Sequence, residues 1–466
     1  MLLIDIGSTY TKLVVADIKK SKIKATANSP TTIEDISIGF HNALDMIKTQ
    51  RVDPELLKER YASSSAAGGL RMVAVGLVPA LTMEAAKRAA LGAGAKIVGT
   101  FSFMLTTKQV GEIEKLSPDI LLLAGGTDGG ERNTIIHNAK MIAGSSLKVP
   151  IIMAGNRVAA DEIAQIFENA GKDLQITDNV MPTIGKLNVE SVRDVIREIF
   201  INRIVVAKGL DKINDFINGI ALPTPLAVLE AAKTLSDIVY NGVVVVDVGG
   251  ATTDVHSVID GLPSNPQVTV KGLPEPYAKR TVEGDLGVRH NIRSIIDAVG
   301  EDKFINTVMD NEIELETSSK EILNILEEWS NHTSIVPENY LERKLDIVLA
   351  SSAVEVATNR HAGYIEEMWT PSGKIPIQYG KDLSTVDTLI GTGGAVINSS
   401  KPEQILKKAI ANPKTPFILK PKKPKYFIDN NYILFSIGLI RQVNEKAARD
   451  IARYYLKEME VAKDEA

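Results

Sequence analysis

Cysteine is missing altogether from this 466-residue chain. That excludes disulfides, zinc-thiolate and iron-sulfur centres, and any thiol nucleophile. Histidine is scarce too: the six present show no H-E-x-x-H spacing, and no Ser-His-Asp triad can be read from scattered residues. His256, on an apolar run, reads as structural rather than catalytic. An excess of positive charge is also lacking. With 53 basic against 58 acidic residues, the formal net charge is -5 and the pI about 5.8, which disfavours a nucleic-acid or anionic-membrane partner. The one basic run, Lys420-Pro421-Lys422-Lys423-Pro424-Lys425, then reads as a solvated loop within a proline-rich surface connection. No apolar stretch reaches the roughly 18 residues of a membrane span, and MLLIDIGSTYTKLVV has no basic leader region, so a cytoplasmic location is expected.

What is present is enough apolar sequence, 44% of residues, to fill more than one core, and a chain of this length is expected to divide into domains. Short apolar runs alternate with helical patterns from Tyr61 to Ala170, including Ile120 to Ala124 and Pro150 to Ala154. This predicts a parallel sheet covered by helices, a Rossmann-like or flavodoxin-like module. The most apolar run, Gly242 to Val248, is expected to be a buried strand. Residues 345–350 read as a further strand, followed by a helix over 351–361. The predicted organisation is a first lobe beginning at 1–60, an inserted module over 61–185, connecting helices over 186–240, a second lobe over 241–410, and a carboxyl-terminal connection and helix over 411–466.

Three glycine turns carry chemistry. Asp5-Ile6-Gly7-Ser8-Thr9-Tyr10-Thr11-Lys12 follows a short apolar run. Its glycine and small hydroxyls let N-H and O-H groups converge on phosphate oxygens, and the preceding carboxylate can hold Mg²⁺ through water. Asp247-Val248-Gly249-Gly250-Ala251-Thr252-Thr253-Asp254 repeats that order about 240 residues later. The pair suggests an internal duplication that grips a polyphosphate, and it is far more specific than either member. The third turn, Gly391-Thr392-Gly393-Gly394-Ala395, can admit a flat base and ribose close to the backbone. A fourth glycine run, Gly125-Gly126-Thr127-Asp128-Gly129-Gly130, ends an expected parallel strand, where open α/β sheets bind ligands; a tight turn is an equal reading.

The order of these motifs resembles the actin, heat-shock-chaperone and sugar-kinase superfamily. Within it, SSSAAGGL at 63–70, LLLAGGTDGG at 121–130, DVGGATTDVHSV at 247–258, EGDLGVRHN at 283–291 and GTGGAV at 391–396 resemble the MutL family, encoded beside cobalamin-dependent glutamate mutase and related aminomutases. The resemblance implies a ribonuclease H-like, two-domain ATPase fold. It also implies that Gly7, Ser8, Thr9 and Lys12, with Gly249, Gly250, Thr252 and Thr253, contact the β- and γ-phosphates of ATP. Asp5 and Asp247 would position Mg²⁺, and Gly391, Gly393 and Gly394 would face the adenosine. The implied partner is a cobalamin-dependent mutase or aminomutase. The chain departs from the superfamily at Leu222-Pro223-Thr224-Pro225, where an acid often precedes the proline of the connecting helix. Glu283 and Asp285 are therefore candidates to activate water or touch metal. A small-molecule kinase using Asp128, Asp247 or Glu283 as base, and an actin-like filament protein, are the alternative expectations.

Overall fold

The computed structural model describes residues 1–7, 10–32, 35–64, 70–79, 84–92, 95–204, 216–217, 220–309, 317–333, 335–371 and 373–459. Ser8, Thr9 and residues 65–69 of the quoted motifs fall outside them. The chain forms two compact units, Met1–Leu13 with Ala27–Leu226, and Val14–Thr26 with Ala227–Ala466.

The first sheet is built on β1 (Leu2–Ile6), β2 (Tyr10–Asp17), β3 (Lys22–Pro30) and β4 (Arg60–Ser64). β1 is buried along its whole length, which places it in the middle of a sheet. Between β4 and the last strand of this sheet the chain builds a separate one, from β5 (Arg71–Gly76), β6 (Lys96–Ser102), β7 (Ile120–Leu123), β8 (Ile151–Met153) and β9 (Leu174–Ile176). Its order is β6-β5-β7-β8-β9 with all pairs parallel. Counted from β5 this is 2-1-3-4-5, the flavodoxin-like order, which decides between the two module types. Val73, Val75, Leu121, Leu123, Ile151 and Met153 pack there against Ile135, Ile142, Ile163 and Phe167 of the covering helices. The chain then returns as β10 (Ile220–Pro223), completing the first sheet in the order β10-β4-β1-β2-β3. β4 and β10 run parallel to their neighbours.

The second unit repeats the plan with β11 (Val243–Val248), β12 (Thr253–Val258), β13 (Thr269–Lys271), β14 (Ala278–Glu283), β15 (Tyr364–Thr370), β16 (Gly373–Tyr379), β17 (Thr388–Thr392) and β18 (Lys425–Ile428). Its main sheet has the order β14-β12-β11-β17-β18. β12 is antiparallel to both β11 and β14, while β17 and β18 are parallel to their neighbours. Numbered by appearance, both main sheets read 3-2-1-4-5. The duplication suggested by two glycine turns is thus a duplication of topology, and each turn joins the first and second strands of its sheet. β13, β16 and β15 form a small separate sheet.

Residues 345–350 are not a strand. They belong to a single helix, Tyr340–His361, opened by an Asn339 capping box with Glu342. The apolar run Leu345, Val348, Leu349 is buried because the helix lies in the core of this unit, with Val244, Val246, Val255 and Trp329. A buried helix segment and a buried strand share the same apolar density over six residues. The helix Thr224–Ser236 is met by the helix Leu434–Val443 at Gly438, where a Cβ would fall 1.8 Å from the Ala227 carbonyl oxygen. The basic run is not wholly solvated: Lys420 is 2% exposed, and its ammonium donates to the Lys408 carbonyl at 2.9 Å.

Candidate functional site

In the first unit, Asp5 on β1 is fully buried. Its carboxylate accepts from Lys12 Nζ at 3.1 Å and Ser63 Oγ at 2.9 Å, and from the Thr224 hydroxyl. The strand order explains this convergence, because β2 and β4 flank β1 and β10 delivers Thr224 beside β4. Thr224 stands where the superfamily pattern would put an acid, so Asp5 meets a hydroxyl instead of a second carboxylate. Gly7 closes the turn by donating its N-H to the Tyr10 carbonyl at 3.1 Å. A Cβ on Gly7 would fall 2.6 Å from that oxygen. The Gly7 carbonyl is held from behind by Thr31 Oγ1 at 2.9 Å. Sequence reasoning missed Thr31; it marked Ser63 only within the 63–69 stretch, as a ligand site or a turn, and its signal for Thr224 was an absent acid.

The second turn is supported more extensively. Val288, Arg289 and His290 donate backbone N-H groups to the Gly249 and Gly250 carbonyls at 2.9 to 3.2 Å. Asn291 Nδ2 donates to the Ala251 carbonyl at 2.9 Å. Gly287 allows this approach, since a Cβ there would fall 2.2 Å from the Ala251 carbonyl carbon. With its carbonyls engaged on one side, the turn leaves the N-H groups of Gly250 and Ala251 without an acceptor among the described residues. Successive unpaired N-H groups in a turn form an anion-binding nest. Thr253 is committed elsewhere: it is buried, and its hydroxyl donates to the Leu286 carbonyl at 2.7 Å. Thr253 is therefore a support of the turn, while Thr252 is half-buried at its surface.

Asp247, at the end of β11, approaches the third turn. A Cβ on Gly393 would lie 2.6 Å from Asp247 Oδ1 and 2.4 Å from the Val248 carbonyl oxygen, and the Gly393 φ is 90°. Gly391 is buried against Val396 and Leu406, so it packs the turn, whereas Gly394 is half-buried. Magnesium that keeps its water shell needs only one or two carboxylates beside phosphate oxygens. Asp247, half-buried beside the third turn, is a carboxylate of this kind in the second unit, and Asp5 holds the corresponding place before the first turn in the first unit. No group of three His, Asp or Glu side chains forms a direct metal cluster among the described residues.

Other candidate acids are engaged. Glu283 accepts from Arg360 at 2.7 Å, and the same guanidinium holds Asp285 at 2.8 and 3.0 Å. Burial raises the Glu283 carboxyl above its ordinary value, opposed by Arg360. Asp128 accepts from Asn179 Nδ2 at 2.9 Å and from the Arg157 N-H at 3.1 Å. Its glycine run is locked by the fully buried Asn156, which bonds Gly129, Gly130, Glu131 and Val158; the geometry is that of a tight turn. His256 is fully buried and held neutral by desolvation beside Arg280, and Arg280 lies 3.6 Å from Asp254.

With the geometry in place, comparison with known proteins decides the family. The family described as MutL protein matches residues 1–456. Protein MutL of Clostridium tetanomorphum is 48% identical over 464 residues, covering 98% of this chain and 99% of that protein. The chain belongs to the MutL family. Among solved structures, the activator of the 2-hydroxyisocaproyl-CoA dehydratase from Clostridium difficile with bound ADPNP aligns over 99% of this chain and 100% of its own, with a TM-score of 0.31 and 10% identity. A diol dehydratase-reactivating factor in nucleotide-free form aligns over 96% and 100%, with a TM-score of 0.36 and 11% identity. Both main sheets of this MutL family member read 3-2-1-4-5, a duplicated ribonuclease H-like order, and a flavodoxin-like sheet is inserted within the first. No described helix is long and apolar enough to cross a membrane.

Proposed function

We propose that the chain binds Mg-ATP and works as a nucleotide-driven accessory factor for a cobalamin-dependent mutase or aminomutase, which it protects, reactivates or helps to assemble. The observation that carries the nucleotide reading is the second turn. Its carbonyls are occupied from behind while its Gly250 and Ala251 N-H groups have no acceptor among the described residues, as a phosphate nest requires. In this reading Gly249, Gly250 and Thr252, and on the other turn Gly7, Ser8, Thr9 and Lys12, take the β- and γ-phosphates. Mg²⁺ is held through water by Asp5 and Asp247 and neutralises phosphate charge. The adenosine lies against Gly393 and Gly394.

Family membership supports the partner, as the turn supports the nucleotide. The nucleotide acts on it through a two-state equilibrium: γ-phosphate contacts favour one state, and their loss releases it. ADP release from the full chain with Mg-ATP, alone and with inactivated mutase, tests this, with Asp247→Ala as control. Stimulation by the mutase that disappears in the control is expected. Turnover that ignores the mutase and needs a small hydroxylated substrate would put a kinase in its place.

A further inference from the structure

The second unit contains a cavity of about 540 Å³ between the helices Glu301–Met309 and Tyr340–His361 and the segment 400–408. This is within the size range of small-ligand sites. Its floor is apolar, from Phe304 and Val348, both buried. Five cations surround it against one carboxylate, Glu355. Lys303 and Lys408 share that carboxylate at 3.5 and 4.0 Å. Arg343, Lys344 and Lys401 have no carboxylate within ion-pair distance among the described residues, Arg343 donating only to the Glu338 carbonyl at 3.0 Å. Isolated surface lysines need no partner, but three unpaired cations around one apolar-floored cavity repel one another and attract an anion that enters it.

We propose that this cavity binds a phosphorylated organic ligand, with its phosphate held by Arg343, Lys344 and Lys401 and its body on the Phe304 and Val348 floor. A neutral adenosine carries nothing that matches this rim. The phosphate belongs either to an independent effector or to the ribose of a doubly phosphorylated nucleotide held at the glycine turns; the latter source rests on the nucleotide reading above. The segment 400–408 begins three residues after the short helix Gly394–Ile397, which links the cavity to the third turn in sequence.

The probe is adenosine 3′,5′-bisphosphate, titrated calorimetrically into the full chain with and without saturating Mg-ADP, for wild type and a Lys344→Ala/Lys401→Ala variant. Lys401 is exposed and Lys344 half-exposed, so the variant is expected to keep its thermal midpoint. Saturable binding that weakens about tenfold or more in the variant, while ADP affinity changes less than about threefold, is the expected result for two lost charge-assisted contacts. Displacement by Mg-ADP assigns the phosphate to the nucleotide's ribose; simultaneous binding assigns an independent effector. The proposal is overturned if the bisphosphate does not bind, if the variant binds it as tightly, or if ADP weakens equally. Bisphosphate binding without ADP binding would instead sink the nucleotide reading and leave this one standing.

Discussion

Gly393 and Gly300 offer a matched pair for testing whether the third turn is shaped by close approach. Both have φ of 90°, but a Cβ on Gly300 would meet nothing within 4 Å, whereas one on Gly393 would fall 2.4 Å from the Val248 oxygen and 2.6 Å from Asp247 Oδ1. Substitution by alanine imposes backbone strain of about 1–3 kcal/mol at either position. At Gly393 it adds an overlap of about 1–3 kcal/mol as the strand end shifts. Both residues lie in the second unit, so urea denaturation reads them in the same transition. Gly393→Ala is expected to be less stable than Gly300→Ala by about that second amount. It should also lose ADP affinity by about tenfold or more because the displaced groups include Asp247, while Gly300→Ala binds normally. Equal destabilisation of the two variants, or ordinary ADP affinity in Gly393→Ala, would refute the reasoning.

Among the described residues, Lys12→Met leaves the buried Asp5 carboxylate with the Ser63 and Thr224 hydroxyls as partners, and about 3 kcal/mol of destabilisation is expected by chemical denaturation. Adding Asp5→Asn should restore most of that stability but not ATP turnover; no recovery would argue against a charge effect. Lys381 is fully buried, donating to the Pro276 and Tyr277 carbonyls at 2.8 and 2.7 Å. Burial pulls its ammonium from 10.5 down to about 7, helped by Lys279. Between those values the unfolded chain binds the additional proton, so this group makes stability rise with pH, by up to about 1.4 kcal/mol per unit. Urea midpoints at pH 7.5 and about pH 9 should separate further in wild type than in Lys381→Met, and an identical separation would contradict the assignment.

The glycine turns were legible because they are local. Acid, glycine and hydroxyl lie within eight residues, so each turn can be read from a single stretch. The residues that complete them were not legible. Ser63 and Thr224 reach Asp5 only because β4 and β10 stack beside β1, and strand order is set by crossovers rather than by any local pattern. The same holds for the inserted module, where alternation gave parallel strands covered by helices but only the observed order separated flavodoxin-like from Rossmann-like. Buried lysines fail for a different reason. Lys381 and Lys420 carry no sequence mark of burial, and each is retained by backbone carbonyls that tertiary structure brings together.

The contrast between Thr252 and Thr253 shows how far composition can mislead within a single motif. Both hydroxyls suit phosphate, and adjacency makes them look equivalent. Their places separate them: Thr252 is still in the turn and half-buried, whereas Thr253 opens β12 and turns its side chain inward to the Leu286 carbonyl, where it anchors the 283–291 segment that in turn occupies the carbonyls of the nest. One of two neighbouring hydroxyls in such a turn is therefore available to the anion and the other to the support. The motif needs both residues, for separate physical reasons.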